Sequence, residues 1–217
     1  AEVNVDAVPA SVYNLGDKVV VTGSVVESSS MRGYVGIGFV CSAKKVQTTS
    51  LYLDLKENQP QAFSQMIVIP QGLDGSCTLQ VTLSDLNGVV LESKDAGALV
   101  ITSALLGDFQ EVPSSFQLGD KLVVKGKVYK QDKTGVDGLA TIYFKQQGES
   151  VFIESTPIVN GEVNYVKDLS LIPAGSYALD IAVADSLGNK NFFADSYTLS
   201  INNNIDFDLT LDKKQYD

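Results

Sequence analysis

The chain has 217 residues, of which 44% are hydrophobic, and its 26 acidic and 16 basic side chains give a net charge of −10. That length and hydrophobic content allow two cores of about 100 residues each and argue against global disorder. The negative charge disfavours nucleic acid as a partner. Histidine is absent, which excludes Ser-His-Asp and Cys-His catalytic sites and histidine metal sites.

The motif Leu-Gly-Asp-Lys occurs at residues 15–18 and again at residues 118–121. After each copy the sequence alternates between apolar and polar residues, which is typical of a strand with one buried face. The residues that share this face are Val19, Val21 and Val25 in the first copy and Leu122, Val124 and Val128 in the second. The motif therefore predicts a strand that opens a domain, and it predicts it twice.

In the first half, alternation and turn residues predict about seven strands and no helix. We expect them at residues 2–8, 19–25, 34–41, 45–55, 62–69, 75–84 and from the turn at 85–88 to about residue 102. The segment 45–55 is a single strand or a strand pair. The clearest alternation places Cys77, Leu79, Val81 and Leu83 on the inward face.

The second half repeats this plan. Its strands are expected at residues 121–129, 138–145, 150–157, 162–172, 175–184 and 189–201. The inward set Tyr177, Leu179, Ile181 and Val183 matches the set that begins at Cys77. The sequence thus predicts two tandem antiparallel β-sandwich domains, residues 1–103 and residues 104–203.

Residues 204–217 are interpreted as a linker and the start of a possible third repeat, because Asp206–Leu211 looks like the segment that leads into each Leu-Gly-Asp motif. The chain is then either a piece of a longer array or a chain that ends one strand into the next copy. Arrays of small domains act as spacers because each unit folds alone and adds length.

Several short patterns together resemble a known family. An aromatic residue, Tyr13 or Phe116, precedes each Gly-Asp-Lys with two residues between them. Pro173 is later followed by Gly-Ser-Tyr and by Leu-x-x-x-Val-x-Asp with a Gly-Asn turn. Over residues 9–102 and 113–201 the chain resembles the Ig-like and macroglobulin-type β-sandwich repeats of bacterial and archaeal cell-surface proteins. The resemblance implies Ig-like domains in an extracellular, multidomain protein that is often adhesive or structural.

The two cysteines, Cys41 and Cys77, both fall on inward positions of strands that should be neighbours. Aligning the halves places Cys41 opposite Phe144 and Cys77 opposite Tyr177. A disulfide between them would stabilise the fold and would fit an oxidising compartment. The alternative is a pair of buried free thiols that fill core space.

The best candidate for a metal site is the junction Asn202–Asp208, where side-chain oxygens cluster as calcium requires. We nevertheless expect an ordinary polar linker and keep calcium as the alternative, because the equivalent first junction at residues 103–108 lacks that density. Asp85 with Asn87, and Asp185 with Asn189, are interpreted as hairpin turn residues. We assign no catalytic residue, no cofactor-binding residue and no metal ligand.

The sequence therefore favours a non-catalytic structural or adhesive repeat module of an exported cell-surface protein, which acts as a spacer and a scaffold for protein or glycan ligands. Its expected partners are other domains of a longer array, and neither nucleic acid nor a membrane span is expected. The alternative is an accessory module of a secreted hydrolase or protease whose catalytic domain lies outside this chain.

Overall fold

The computed structural model describes residues 1–42 and 44–203, and within these residues the protein is all-β, as the alternation predicts. The first half contains β1 (Glu2–Val5), β2 (Val12–Asn14), β3 (Lys18–Val26), β4 (Met31–Cys41), β5 (Lys44–Leu55), β6 (Gln61–Val68), β7 (Gly75–Asp85) and β8 (Val90–Thr102). The second half contains β9 (Leu106–Phe109), β10 (Ser115–Gln117), β11 (Lys121–Tyr129), β12 (Gly138–Gln146), β13 (Glu149–Val159), β14 (Glu162–Asp168), β15 (Gly175–Asp185) and β16 (Lys190–Asn202). The proposed start of a third repeat at residues 204–217 lies outside the described residues.

Both halves have the same strand order. In the first half, β1-β3-β6 form one sheet and β2-β8-β7-β4-β5 form another. The corresponding strands of the second half form a single eight-stranded sheet, β10-β16-β15-β12-β13-β14-β11-β9. The two layers join there because the ends of β13 and β14 pair through Ile158 with Val163 and Val159 with Glu162.

The strand count and the pairing directions differ from the prediction. Each half has eight described strands instead of about seven, and β2–β8 and β10–β16 pair in parallel while all other pairs are antiparallel. Strands β2, β9 and β10 have only three or four residues, which is too short to show a period of two. The segment 45–55, predicted as one strand or two, is the single strand β5.

The predicted strand at 162–172 ends early, at Asp168. The Asp168 carboxylate accepts a hydrogen bond of 2.9 Å from the Ser170 backbone N–H and caps a short 3₁₀ helix, Leu169–Leu171. A side-chain cap of this kind competes with the sheet hydrogen bonds that would extend the strand.

The buried apolar side chains form two clusters, one within residues 3–101 and the other within residues 105–201. The predicted inward faces are confirmed. All four residues of the set Cys77, Leu79, Val81 and Leu83 are buried, and so are their counterparts Tyr177, Leu179, Ile181 and Val183.

In each half, the strand that follows the Leu-Gly-Asp-Lys motif contains a glycine at the point where a short strand pairs with it. A Cβ atom on Gly23 would lie 2.2 Å from the Asn4 carbonyl oxygen, and one on Gly126 would lie 2.3 Å from Phe109 Cδ1 and 2.8 Å from the Asp108 carbonyl oxygen. Both approaches are too close for any side chain. The glycine therefore lets β1 and β9 pair tightly against β3 and β11.

We expect Gly126→Ala to destabilise the protein by about 1–3 kcal/mol, because the added methyl group must displace backbone and an aromatic ring. The free energy of unfolding measured in urea checks this. Lys125→Ala, at the adjacent exposed position of β11, is the control. Equal stability of the two variants would contradict the close approach.

Candidate functional site: the joint between the two halves

Cys41 and Cys77 lie opposite each other on neighbouring antiparallel strands, β4 and β7. Their Sγ atoms are bonded at 2.06 Å, and both residues are buried in the cluster of the first half. The chain has no other cysteine, so this disulfide leaves no free thiol.

The alignment that placed Cys41 opposite Phe144 is wrong by two residues. Phe39 pairs with Leu79 and Phe144 pairs with Leu179, so Cys41 corresponds to Gln146. A shift of two residues keeps every side chain on the same face, and alternation alone therefore cannot detect it. The Phe144 ring nevertheless contacts the Tyr177 ring edge to face, with centroids 6.1 Å apart.

The proposed calcium junction is only partly described. Asn202 donates a hydrogen bond of 2.8 Å from its Nδ2 to Ser115 Oγ, while residues 204–208 lie outside the described residues. Within residues 1–42 and 44–203, no group of three or more His, Cys, Asp or Glu side chains is placed to hold a metal ion. The polar linker expected at Asn202–Asp208, and calcium binding as its alternative, both stay predictions.

One charged cluster in the second half has the composition of an acid–base site. Tyr165 Oη donates to Glu154 Oε2 at 2.8 Å, and Lys167 Nζ lies 3.2 Å from the same oxygen. Burial, followed by the hydrogen bond to Glu154, raises the pKa of Tyr165, while the bond from Tyr165 lowers the pKa of Glu154. Both shifts move the pKa values of these groups further from neutral pH, which does not suit proton transfer. We therefore interpret the cluster as a Glu154–Lys167 ion pair that stabilises the fold.

The two most deeply buried polar side chains lie where the halves meet. Asn14, at the end of β2, and Asn189, just before β16, are both 0% exposed. An amide without hydrogen-bond partners at such a position would cost about 1–3 kcal/mol. The partners of these two amides therefore define the joint.

The Asn189 amide pairs with the backbone of Leu15 as a neighbouring strand would. Asn189 Nδ2 donates to the Leu15 carbonyl oxygen at 2.9 Å, and the Leu15 N–H donates to Asn189 Oδ1 at 3.1 Å. One side chain of the second half thus satisfies both backbone groups of one residue of the first half.

Asn14 makes the reciprocal connection. Its Nδ2 donates to the Ala104 carbonyl oxygen at 3.0 Å, and its Oδ1 accepts a bond of 2.8 Å from the Gln131 backbone N–H. Among the described residues, no buried side-chain nitrogen or oxygen lacks a hydrogen-bond partner. The joint is therefore fully paired, which is the condition under which buried polar groups specify one arrangement.

The Asp17 carboxylate stabilises its own turn and also contacts the second half. Its Oδ2 accepts a bond of 2.7 Å from the Asn14 N–H, and its Oδ1 pairs with Lys130 of the second half. The Asp17 and Lys130 side chains are only 9% and 18% exposed, so water screens this pair less than a surface ion pair.

The turn that presents Asn189 is held by Asp185. Asp185 Oδ1 accepts from the Leu187 and Asn189 backbone N–H groups at 2.8 and 2.9 Å, and its Oδ2 accepts from Asn189 Nδ2 at 2.7 Å. The interpretation of Asp185 and Asn189 as turn residues is confirmed. The turn also fixes the orientation of the Asn189 amide toward Leu15.

Close packing and backbone pairing complete the joint. Gly16 has a φ of 80°, which favours glycine, and a Cβ there would lie 2.5 Å from Leu187 Cδ1, so a larger residue would also force the Leu187 side chain to move. The connecting segment is itself paired, because the Lys190 N–H donates to the Ser103 carbonyl oxygen at 2.8 Å.

The turns at residues 15–18 and 185–189 can each be predicted from sequence, but their contact with each other cannot. Alternation reports which side chains are buried within a sheet, whereas this contact joins a turn of one copy to a turn of the other. The joint contains the amides of Asn14 and Asn189, the carboxylates of Asp17 and Asp185 and the ammonium group of Lys130, which bind and position one another.

Among known proteins, similarity is found with solved structures. No protein-family model matches the chain, and no curated protein matches it. A solved structure, a tetra-tandem repeat in the extending region of a large adhesion protein, is similar to 92% of this chain, with a TM-score of 0.38 and 17% identity. The match covers 49% of that structure's chain. The described residues contain no helix long and apolar enough to cross a membrane.

We expect Asn189→Ala to loosen the joint at a cost of about 1–3 kcal/mol, because both backbone groups of Leu15 lose their partner. Small-angle X-ray scattering should show a larger radius of gyration and a wider distribution of shapes than in the unmodified protein. Asn87→Ala, in the corresponding exposed turn of the first half, is the control and should change neither. Unchanged scattering of Asn189→Ala would rule out this amide as the element that holds the joint.

Loss of the disulfide should destabilise the first half. In the chain-entropy model we expect a Cys41→Ala/Cys77→Ala variant to lose up to about 4 kcal/mol of unfolding free energy. Intact mass should increase by two hydrogen atoms on reduction of the unmodified protein. Alkylation of both cysteines in denaturant without a reductant would show instead that the thiols are free.

Proposed function

We propose that this chain is a non-catalytic structural or adhesive repeat module of an exported cell-surface protein. It acts as a spacer of fixed length and presents its loops and sheet edges to protein or glycan ligands. The observation that supports this most directly is the joint, where buried side chains of both halves are paired with one another. A fully paired joint favours one relative orientation of the halves, which is the property that a spacer needs.

We also propose that residues 1–103 and residues 104–203 are two tandem Ig-like β-sandwich domains. The two separate apolar clusters support this division, and so does the identical order of the eight strands in each half. The single sheet of the second half contains the same two layers as the first half, connected at one corner through β13 and β14.

The exported location is supported by the Cys41–Cys77 disulfide, because such bonds persist in oxidising compartments and are rare in the cytosol. The net charge of −10 also favours solubility in water, which a module exposed outside the cell needs. In an accessory module of a secreted hydrolase or protease these residues would have the same passive role, and catalysis would belong to another domain.

Labelling of intact cells tests the proposal. We expect a membrane-impermeant amine reagent to modify the protein on intact cells of the source organism, because most of its lysines are exposed. A cytosolic protein that remains unlabelled under the same conditions is the control. Labelling of this protein only after lysis would overturn the proposed location, and binding of residues 1–203 to a glycan array would identify an adhesive role in addition to the spacer role.

A further inference from the structure

The second half carries its own copy of the surface with which the first half binds its neighbour. In both copies the turn is already formed, since Asp17 Oδ2 accepts from the Asn14 N–H at 2.7 Å and Asp120 Oδ2 accepts from the Gln117 N–H at 2.7 Å. Strand pairing gives the same correspondence, with Asn14 opposite Thr102 and Gln117 opposite Asn202.

The two copies differ in exposure. Asn14, Leu15 and Asp17 are buried by the second half, whereas Gln117, Leu118 and Asp120 are exposed. Leu15 is 5% exposed and Leu118 is 43% exposed. One bond also differs, because the Leu118 N–H donates to the Asn202 carbonyl oxygen at 2.9 Å. A partner at this surface would therefore meet the Asp120 carboxylate, the Leu118 carbonyl and the Leu118 side chain.

The existing joint shows which groups such a partner must supply. Lys130 pairs with the carboxylate of the Leu-Gly-Asp motif, Asn189 pairs with the backbone of the leucine, and Leu187 packs on the glycine. All three residues lie at one end of the second half, in the turn after β11 and in the turn between β15 and β16.

The corresponding end of the first half lacks this set. Strand pairing with β1 and β9 places Glu27 at the position of Lys130. The turn after β7 is built like the turn after β15, with Asp85 Oδ1 accepting from the Asn87 and Val89 N–H groups at 2.8 and 2.9 Å. It therefore has Asn87 at the position of Leu187 and Val89 at the position of Asn189. Glu27 would repel Asp120, and Val89 has no amide to offer Leu118.

We infer that the turn Gln117–Asp120 is a docking surface for a following repeat that resembles the second half, with a lysine at the position of Lys130 and an asparagine at the position of Asn189. A repeat with the residues of the first half at these positions is rejected, so the joint sets the order of repeats. The inference rests on the proposed function, because it assigns the partner of a repeat module.

The test extends the chain. Residues 1–203 are followed directly by a second copy of residues 104–203, which carries Ser114→Thr so that its peptides differ in mass from those of the original copy. Amide hydrogen exchange of residues 117–120 in the original copy is then compared with that in the unextended protein. We expect exchange to be slower by about tenfold in the extended chain, as docking closes the turn.

The matched variant carries Lys130→Glu and Asn189→Val in the appended copy alone, which leaves the joint at Asn14 and Leu15 intact. We expect it to lose the added protection, whereas Lys133→Glu in the appended copy, a nearby exposed position, should keep it. Slow exchange of residues 121–129 in the appended copy, measured in peptides that include residue 114 and so carry the Ser114→Thr mass difference, shows that the copy is folded in every variant.

The inference is overturned if residues 117–120 exchange equally fast in the extended and unextended chains, or if the Lys130→Glu/Asn189→Val variant stays protected. Failure of the proposed function gives a different result. Fast exchange of residues 14–17 in every chain would show that the original joint does not form.

Discussion

The arrangement of the two halves depends on the hydrogen bonds of two buried amides, those of Asn14 and Asn189. The Asn189 side chain donates to the Leu15 carbonyl oxygen and accepts from the Leu15 N–H, and it also donates a hydrogen bond to the Asp185 carboxylate. Because the amide is 0% exposed, any change in the relative position of the halves that breaks these bonds must either rehydrate it or leave it unpaired. Hydrogen-bond geometry, which tolerates small displacements poorly, therefore helps to define the orientation.

This constraint explains the residues of the Leu-Gly-Asp motif beyond their role in opening a strand. Asp17 uses one oxygen to close its own turn and the other to bind Lys130. Gly16 permits the positive φ of the turn and also leaves room for Leu187. In the second copy Asp120 still closes the turn, and Gly119 has a φ of 93°. The motif thus closes the same turn in both copies, and in the first copy it also contacts the neighbouring half.

The inward faces could be predicted from sequence because a strand with one buried face has a period of two, and the set at Cys77 is as buried as the alternation requires. Strands of three or four residues such as β2 and β10 show no period, and parallel pairing with β8 and β16 leaves no mark on their sequence. The wrong alignment of Cys41 with Phe144 had a related cause, because a shift of two residues leaves every side chain on the same face of the strand. The joint escaped prediction because it connects turns of different copies, although the change from Val89 to Asn189 was a visible difference between the copies.

A polar joint has a consequence that an apolar one would not have. An exposed apolar end on each repeat would attract any other apolar surface, and free ends would associate without regard to partner. The turn Gln117–Asp120 instead exposes an amide and a carboxylate, with Leu118 as its apolar side chain. These groups are well solvated when free and are favourable in a contact only when each meets its complement. Selectivity then comes from the penalty for a wrong partner, such as Glu27 facing Asp120, while the apolar core of each half can stay the same from copy to copy.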